Sequence, residues 1–324
     1  MISRPKVSVL IPVYNGEKYL NEALSSIRNQ TANEIEILII NDGSTDNSSN
    51  IINRMATNDA RIRVINKSNT GLTDTLNCGL SESKGEWIAR MDQDDIASTK
   101  RIELQIEKIT SDRSIVLVGS DFETLNERTQ KRKSYSLPAT HAKLVKRLER
   151  LRGFFPHSSA LFHAETVRQI GGYDPNALFN EDWDLWLRLS TNGEISCINE
   201  CLVTIRKHLN QMSANSGSVL PQAEAFISST LHLYSKRTDL GPEIVRLSRN
   251  ELTEDIKSTR SYKKYCQIAV LSNAVSSSLE SGKFPLFLVR RLNILDKILG
   301  LFVYSFFGTR GPKLTSRQLI KKVF

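Results

Sequence analysis

Trp87-Ile88-Ala89-Arg90-Met91-Asp92-Gln93-Asp94-Asp95 (residues 87–95) decides how the N-terminal half is read. Trp87–Met91 is short and mostly apolar, and charge bounds it at once, which predicts a buried strand. Three carboxylates fall within the next four residues and repel one another, so this loop needs either full solvation or a compensating cation. Which of these holds depends on where the strand sits among its neighbours.

Upstream, strand and helix patterns alternate. Lys6–Val13 is a β-rich run stopped by Asn15-Gly16. Glu17–Arg28 then carries Tyr19, Leu20, Ala23, Leu24 and Ile27 at helical spacing. Glu36–Ile40 is too short for a helix and is rich in β-branched residues. Asp46 or Ser44 can cap a following helix through Met55. Ile62–Ile65 reads as a third strand, Gly71–Leu80 as a helix, Trp87–Met91 as the fourth strand and Arg101–Ile109 as a helix. This order predicts an α/β fold, a doubly wound, mostly parallel sheet with helices on both faces. Ligands of such sheets lie beyond the carboxyl ends of the strands. Tyr14-Asn15, Asn41-Asp42-Gly43, Asn69 and Asp92–Asp95 all fall there. The position of the acidic loop therefore favours a hard divalent cation, Mn2+ or Mg2+, shared with a substrate diphosphate. No GxGxxG follows the first strand and no GxxxxGK[ST] occurs, which weighs against dinucleotide and P-loop chemistry.

PVYNGEKYLNEALSSIRNQT, EILIINDGSTDNS, NTGLTDTLNCGL and ARMDQDD, taken in order, resemble the successive motifs of the family 2 glycosyltransferases, which have the GT-A fold. The likeness continues through PHSSALF (Pro156–Phe162), GGYDP (Gly171–Pro175), NEDWDLWLRL (Asn180–Leu189) and IRKHLNQMS (Ile205–Ser213), covering residues 5–213. It implies an inverting, metal-dependent enzyme of bacterial cell-surface polysaccharide or lipopolysaccharide assembly. Such an enzyme moves a sugar from a nucleotide-sugar donor, UDP-linked in the first instance, to a hydroxyl acceptor such as a lipid-linked saccharide. By the same resemblance Pro12 and Tyr14 would line the base and ribose pocket, and Asp42 would accept a hydrogen bond from the base. Asp94 would hold the ribose or approach the metal, Asp95 would ligate it, and Asp92 would support the loop. Asn69 and Asn77 either shape the pocket floor or serve as turn and cap residues.

A single displacement at the anomeric carbon needs a group opposite the leaving diphosphate to take the acceptor's proton. That group should come from a different segment than the metal ligands. Asp182, at the start of a helix whose apolar side is Leu185, Trp186 and Leu189, matches the family's catalytic aspartate, with Glu181 beside it and Trp183 a candidate for stacking on a sugar. His208, after the expected strand Cys201–Arg206, resembles a C-terminal metal or diphosphate histidine. Arg206 and Lys207 can offset diphosphate charge, and His157 is a weaker candidate near the sugar or acceptor. Two rival functions are transfer to polyprenyl phosphate and a non-catalytic nucleotide-sugar-binding module. The intact DQDD and NEDWD argue against the second.

The chain has 324 residues, 40 % hydrophobic and 24 % charged, values that exclude wholesale disorder and a polytopic membrane protein. Its four cysteines lack any CxxC pair, so free thiols in a reducing compartment are expected. The N-terminal residues lack an apolar leader core, which predicts a cytoplasmic chain. Basic and acidic residues balance at 27 each through residue 215, whereas residues 216–324 hold 17 basic and 8 acidic. The expectation is therefore a catalytic domain over 1–215 and a helical region over 216–324. In the latter, Leu288, Leu292, Leu295, Leu299, Phe302 and Phe306 form one stripe of a basic amphipathic helix. Such a helix either lies in an anionic membrane surface or packs on protein. No zinc-finger spacing or aromatic RNA-binding pattern occurs, and no nucleic-acid partner is expected.

Overall fold

The structure, a computed structural model, describes residues 5–149, 154–177 and 181–209. Of the two units into which the chain divides, the first holds the described residues through Pro175 and from Glu181 to Leu209, and it is compact. The helices and the basic stripe expected beyond residue 215 lie outside the described residues.

In the first unit β1 (Val7–Val13), α1 (Glu17–Arg28), β2 (Ile35–Asp42), α2 (Ser48–Thr57), β3 (Ile62–Lys67), α3 (Leu72–Glu82) and β4 (Trp87–Arg90) succeed one another as the hydrophobic pattern requires. The two-residue β5 (Ile96–Ala97), α4 (Arg101–Ser111), β6 (Ile115–Asn126), β7 (Arg132–Tyr135) and α5 (His141–Glu149) follow. A 3-10 turn at His157–Ser159 leads into β8 (Leu161–His163), α6 (Ala164–Gln169), α7 (Glu181–Ser190) and β9 (Glu194–Lys207). One sheet runs β3-β2-β1-β4-β8-β6-β9-β5, with β7 on β6. β1, β2, β3 and β4 are mutually parallel. Beyond them β8 is antiparallel to both β4 and β6, so the sheet becomes mixed.

Every residue of β1 is buried because both faces are covered. Val7, Val9, Ile11 and Val13 join one core cluster with Leu20, Leu24, Ile52 and Ile102. Leu10 joins the other, with Leu76, Ile88, Phe162, Tyr173, Leu185 and Trp186. This two-sided burial is the doubly wound arrangement the sequence predicts. Among the described residues no helix is long and apolar enough to cross a membrane.

Two boundaries matter for the site. β2 extends two residues past the expected Ile40, so Asp42 ends a strand instead of opening a loop. α2 begins at Ser48 with Asn47 at its N-cap. Asp46 still contributes, accepting from the Ser48 amide (2.9 Å) and, across the site edge, from the Glu17 amide (3.0 Å).

Candidate active site

The carboxyl ends of β1, β2 and β4 place the expected donor residues along one edge. Pro12 is buried within β1, and Tyr14, just past its end, is 47 % exposed. The Tyr14 amide donates to Gln93 Oε1 (3.0 Å), and Gln93 Nε2 donates back to the Tyr14 carbonyl (3.0 Å). The uncharged residue within DQDD thus clamps the β1 loop to the acidic loop. No signal in the sequence marks Gln93 for this role.

Asp42 is buried. Its Oδ1 takes the Thr70 amide (3.0 Å) and the Lys67 ammonium, and its Oδ2 takes the Gly71 amide (3.1 Å). Gly71 has φ +93°, a conformation that side-chain-bearing residues rarely adopt. Burial pushes the Asp42 carboxyl up, but Lys67 and the Thr70 amide outweigh it and hold the group below its ordinary range. Asp42 therefore shapes the loop that carries Asn69, which is itself exposed. Asn77 is a structural residue. Its amide exchanges hydrogen bonds with the backbone of Tyr173, both at 2.9 Å.

At the end of β4, ligand atoms of Asp92, Asp94 and Asp95 lie within 4.8 Å of one another. Asp95 is buried, with Oδ1 taking the Arg206 amide (3.0 Å) and Oδ2 facing Ser158 Oγ (2.5 Å). Ser158 Oγ also lies 2.8 Å from Asp92 Oδ2 and accepts the Asp92 amide (3.1 Å). Asp92 Oδ1 forms an ion pair with the buried Arg90. Asp94 Oδ2 meets His208 Nε2 at 2.8 Å. Burial raises the Asp95 carboxyl well above its ordinary range, and the charges of Asp92 and Asp94 raise it further. Asp94 is raised by burial and by Asp92, with His208 opposing. Oxygen donors that repel one another this strongly fit a hard divalent cation. Asp94 and Asp95 could hold one, with His208 beside Asp94.

His208 is packed 4.5 Å from the Tyr19 ring. Arg206 Nε donates to the Asp94 carbonyl (3.0 Å), its Nη2 pairs with Glu22 (2.6 Å), and its guanidinium lies over the same Tyr19 ring at 4.8 Å. These contacts make Arg206 a brace for the acidic loop more than a free charge for a diphosphate.

The third segment is α7. Glu181 and Asp182 open it, both partly buried. Burial and the Asp182 charge push the Glu181 carboxyl up to about 7. Asp182 is raised by burial, with the Trp183 amide and Arg90 opposing. The charge of Asp92 raises both acids further. Asp184, inconspicuous in the sequence, anchors the helix. It is fully buried and pairs with Arg188, whose guanidinium also donates to the Ile170 (3.0 Å) and Gly172 (2.8 Å) carbonyls. Trp183 is half-buried, with its ring centroid 6.4 Å from that of Phe154, and packs against the core margin. His157 is buried, with Nε2 2.8 Å from the Tyr173 hydroxyl and its ring edge-on to Trp186. Burial, then the Arg90 charge, holds it well below its ordinary pKa. It is a neutral core histidine.

Residues 8–171 match the family described as Glycosyl transferase family 2. A relative named "uncharacterized glycosyltransferase", from Rickettsia prowazekii, is 30 % identical over 79 % of this chain and 80 % of its own length. Chondroitin synthase of Pasteurella multocida is 28 % identical over 60 % of this chain. The chain spans 20 % of that synthase and 45 % of a Rickettsia felis relative. The fold is similar to that of S. aureus TarS 1-349 in complex with UDP-GlcNAc, with a TM-score of 0.61, 17 % identity, 93 % of this chain and 87 % of that one covered. It is also similar to a Pyrobaculum calidifontis mannosyltransferase in complex with GDP-Man and Mn2+, with a TM-score of 0.55, 14 % identity and coverage of 95 % and 89 %. The architecture is that of the GT-A glycosyltransferases, and the chain belongs to glycosyl transferase family 2.

Proposed function

We propose that this chain is an inverting, metal-dependent glycosyltransferase that passes a sugar from a UDP-linked donor to a hydroxyl of a saccharide acceptor, lipid-linked in cell-surface polysaccharide assembly. The observation that carries this reading is the cluster of Asp92, Asp94 and Asp95 at the end of β4, with a second acidic pair on a separate segment. Asp94 and Asp95 follow β4, and Glu181 and Asp182 open α7. The names of the structural neighbours, one with UDP-GlcNAc and one with GDP-Man and Mn2+, support a nucleotide-sugar donor.

Pro12, Tyr14, Asp42, Asn69 and Asp94 would form the donor side. A divalent cation held by Asp94 and Asp95, with His208 alongside, would supply positive charge against the departing diphosphate. Asp182 would take the acceptor proton as the hydroxyl oxygen bonds to the anomeric carbon and the bond to the diphosphate oxygen breaks. Gln93 would keep the donor side in register by holding the Tyr14 backbone to the acidic loop.

A thermal-shift screen of UDP- and GDP-sugars, with and without Mn2+, tests the reading. One donor should raise Tm, and only when the metal is present. Asp95→Ala should abolish that metal-dependent shift while its own unfolding stays cooperative. Equal donor binding by Asp95→Ala and the wild type would contradict the metal assignment.

A further inference from the structure

Asn15 follows Tyr14 just past the end of β1 and has φ +50°, one of two non-glycine residues in the left-handed region among the described residues. Glycine is the ordinary occupant of that conformation, and a residue with a side chain persists there only when its surroundings hold it. The loop after β2 does so. Asn15 Oδ1 accepts from the Thr45 amide (2.8 Å) and the Thr45 hydroxyl (3.3 Å), and the Asn15 amide donates to Ser44 Oγ (3.1 Å).

That loop is itself anchored on both sides. The Ser44 amide donates to Asn41 Oδ1 (3.2 Å), and Asn41 Nδ2 donates to Asn66 Oδ1 on β3 (2.9 Å) and to Ser49 Oγ (3.1 Å). Farther along, α1 and α2 cap each other. Asp46 Oδ2 accepts the Glu17 amide (3.0 Å), Glu17 Oε2 accepts the Asn47 amide (2.8 Å), and Ser48 Oγ accepts the Gly16 amide (2.9 Å). On the other side of Asn15, Tyr14 exchanges its two bonds with Gln93. One string of contacts, Asn66–Asn41–Ser44–Asn15–Tyr14–Gln93, therefore crosses the carboxyl ends of the four parallel strands, and Asn15 joins its two halves.

The strands are held together without this string. β1 to β4 pair through backbone ladders, and every residue of β1 is buried. Asn15 and Thr45 are exposed, where water competes for each hydrogen bond and the gain in stability is small. What the string does fix is how the exposed Tyr14 is presented relative to Asp42, the residue directly after Asn41.

We propose that Asn15 is a positioning residue for the nucleoside end of the donor, holding the Tyr14 backbone in register with Asp42 through Ser44 and Thr45. The inference rests on the reading of Pro12, Tyr14 and Asp42 as the donor side. It assigns Asn15 no contact with the donor itself.

The test uses three probes, UDP, GDP and inorganic pyrophosphate, each titrated calorimetrically with Mn2+ into the full chain as wild type, Asn15→Gly and Asn15→Asp. Glycine keeps the left-handed backbone and removes Oδ1. Aspartate tolerates the same φ and keeps an acceptor oxygen for Thr45. For the nucleotide that wild type binds, Asn15→Gly should weaken affinity about five- to tenfold, the scale of one lost hydrogen bond. Pyrophosphate has no nucleoside, so its affinity should stay at the wild-type value. Asn15→Asp should restore nucleotide binding to within about threefold of wild type. In transfer, Asn15→Gly should raise the donor KM by the factor lost in binding and leave kcat unchanged. A general loosening of the fold would weaken pyrophosphate as well. Equal losses for nucleotide and pyrophosphate, or equal weakening by both variants, would overturn the proposal. Should Asn15→Gly fail to fold, Ser44→Ala removes the other bond of the same joint. It should weaken the nucleotide and spare pyrophosphate, and an unmoved nucleotide affinity overturns the proposal. A wild type that binds neither UDP nor GDP would defeat the donor reading and this inference with it. A nucleotide bound equally by wild type and Asn15→Gly would defeat the role of Asn15 alone.

Discussion

Gly16 and Gln93 show how tightly single residues constrain the donor side. A Cβ on Gly16 would lie 2.3 Å from Gln93 Oε1, the atom that accepts the Tyr14 amide. The φ of Gly16 is −104°, so alanine meets no backbone strain there and acts only through this clash. Gly16→Ala should push Gln93 off Tyr14, lower stability by ~1–3 kcal/mol and weaken donor binding roughly tenfold. Calorimetric titration and thermal melts check both, and unchanged donor affinity would refute the clamp. The acidic members of the candidate site are legible in the sequence because motif and strand-end position coincide at Asp42, Asp94 and Asp95, and because Asp182 stands in a motif at the start of a helix. Their uncharged partners are not. Gln93 and Ser158 are ordinary polar residues whose partners lie 79 and 66 positions away along the chain, a pairing that only the assembled sheet creates.

At the level of elements, α7 carries the proposed base, and its anchor is electrostatic. Asp184 and Arg188 are one helical turn apart, and Arg188 ties the helix to the turn after α6 through two carbonyls. Arg188→Met would leave Asp184 as an unpaired charge at full burial, which typically costs ~3–5 kcal/mol. The variant should therefore melt well below wild type, and near its wild-type Tm the anchor would be wrong. The i,i+4 pair is visible in NEDWDLWLRL. Its importance is not, because an acid in the first helical turn ordinarily faces water. The N-terminal elements are legible for a different reason, since β1, β2 and β4 are compact, mostly apolar runs between turn residues, and β3 keeps Ile62, Val64 and Ile65. β8 and β5 are three and two residues long, defined by pairing with distant strands and not by any periodicity of their own.

Across the whole molecule, charge and chemistry are segregated along the chain. The first 215 residues are balanced, and the excess of basic over acidic residues falls in residues 216–324. If that excess serves an anionic membrane surface, removing residues 284–324 should abolish sedimentation with anionic vesicles and leave donor hydrolysis in place. Unchanged sedimentation would refute the membrane role, and an insoluble product would favour packing on protein. Within the catalytic unit, the central claim is a division of labour between the strand ends, which hold the donor, and the start of α7, which takes the proton. Asp182→Asn tests it most directly, with kcat for transfer and the donor Kd measured on the same variant. Asparagine keeps the size of the side chain but cannot accept the proton, so kcat should fall ~10²–10⁴-fold while the donor Kd stays at its wild-type value. Transfer near the wild-type rate, or loss of donor binding along with it, would contradict the account.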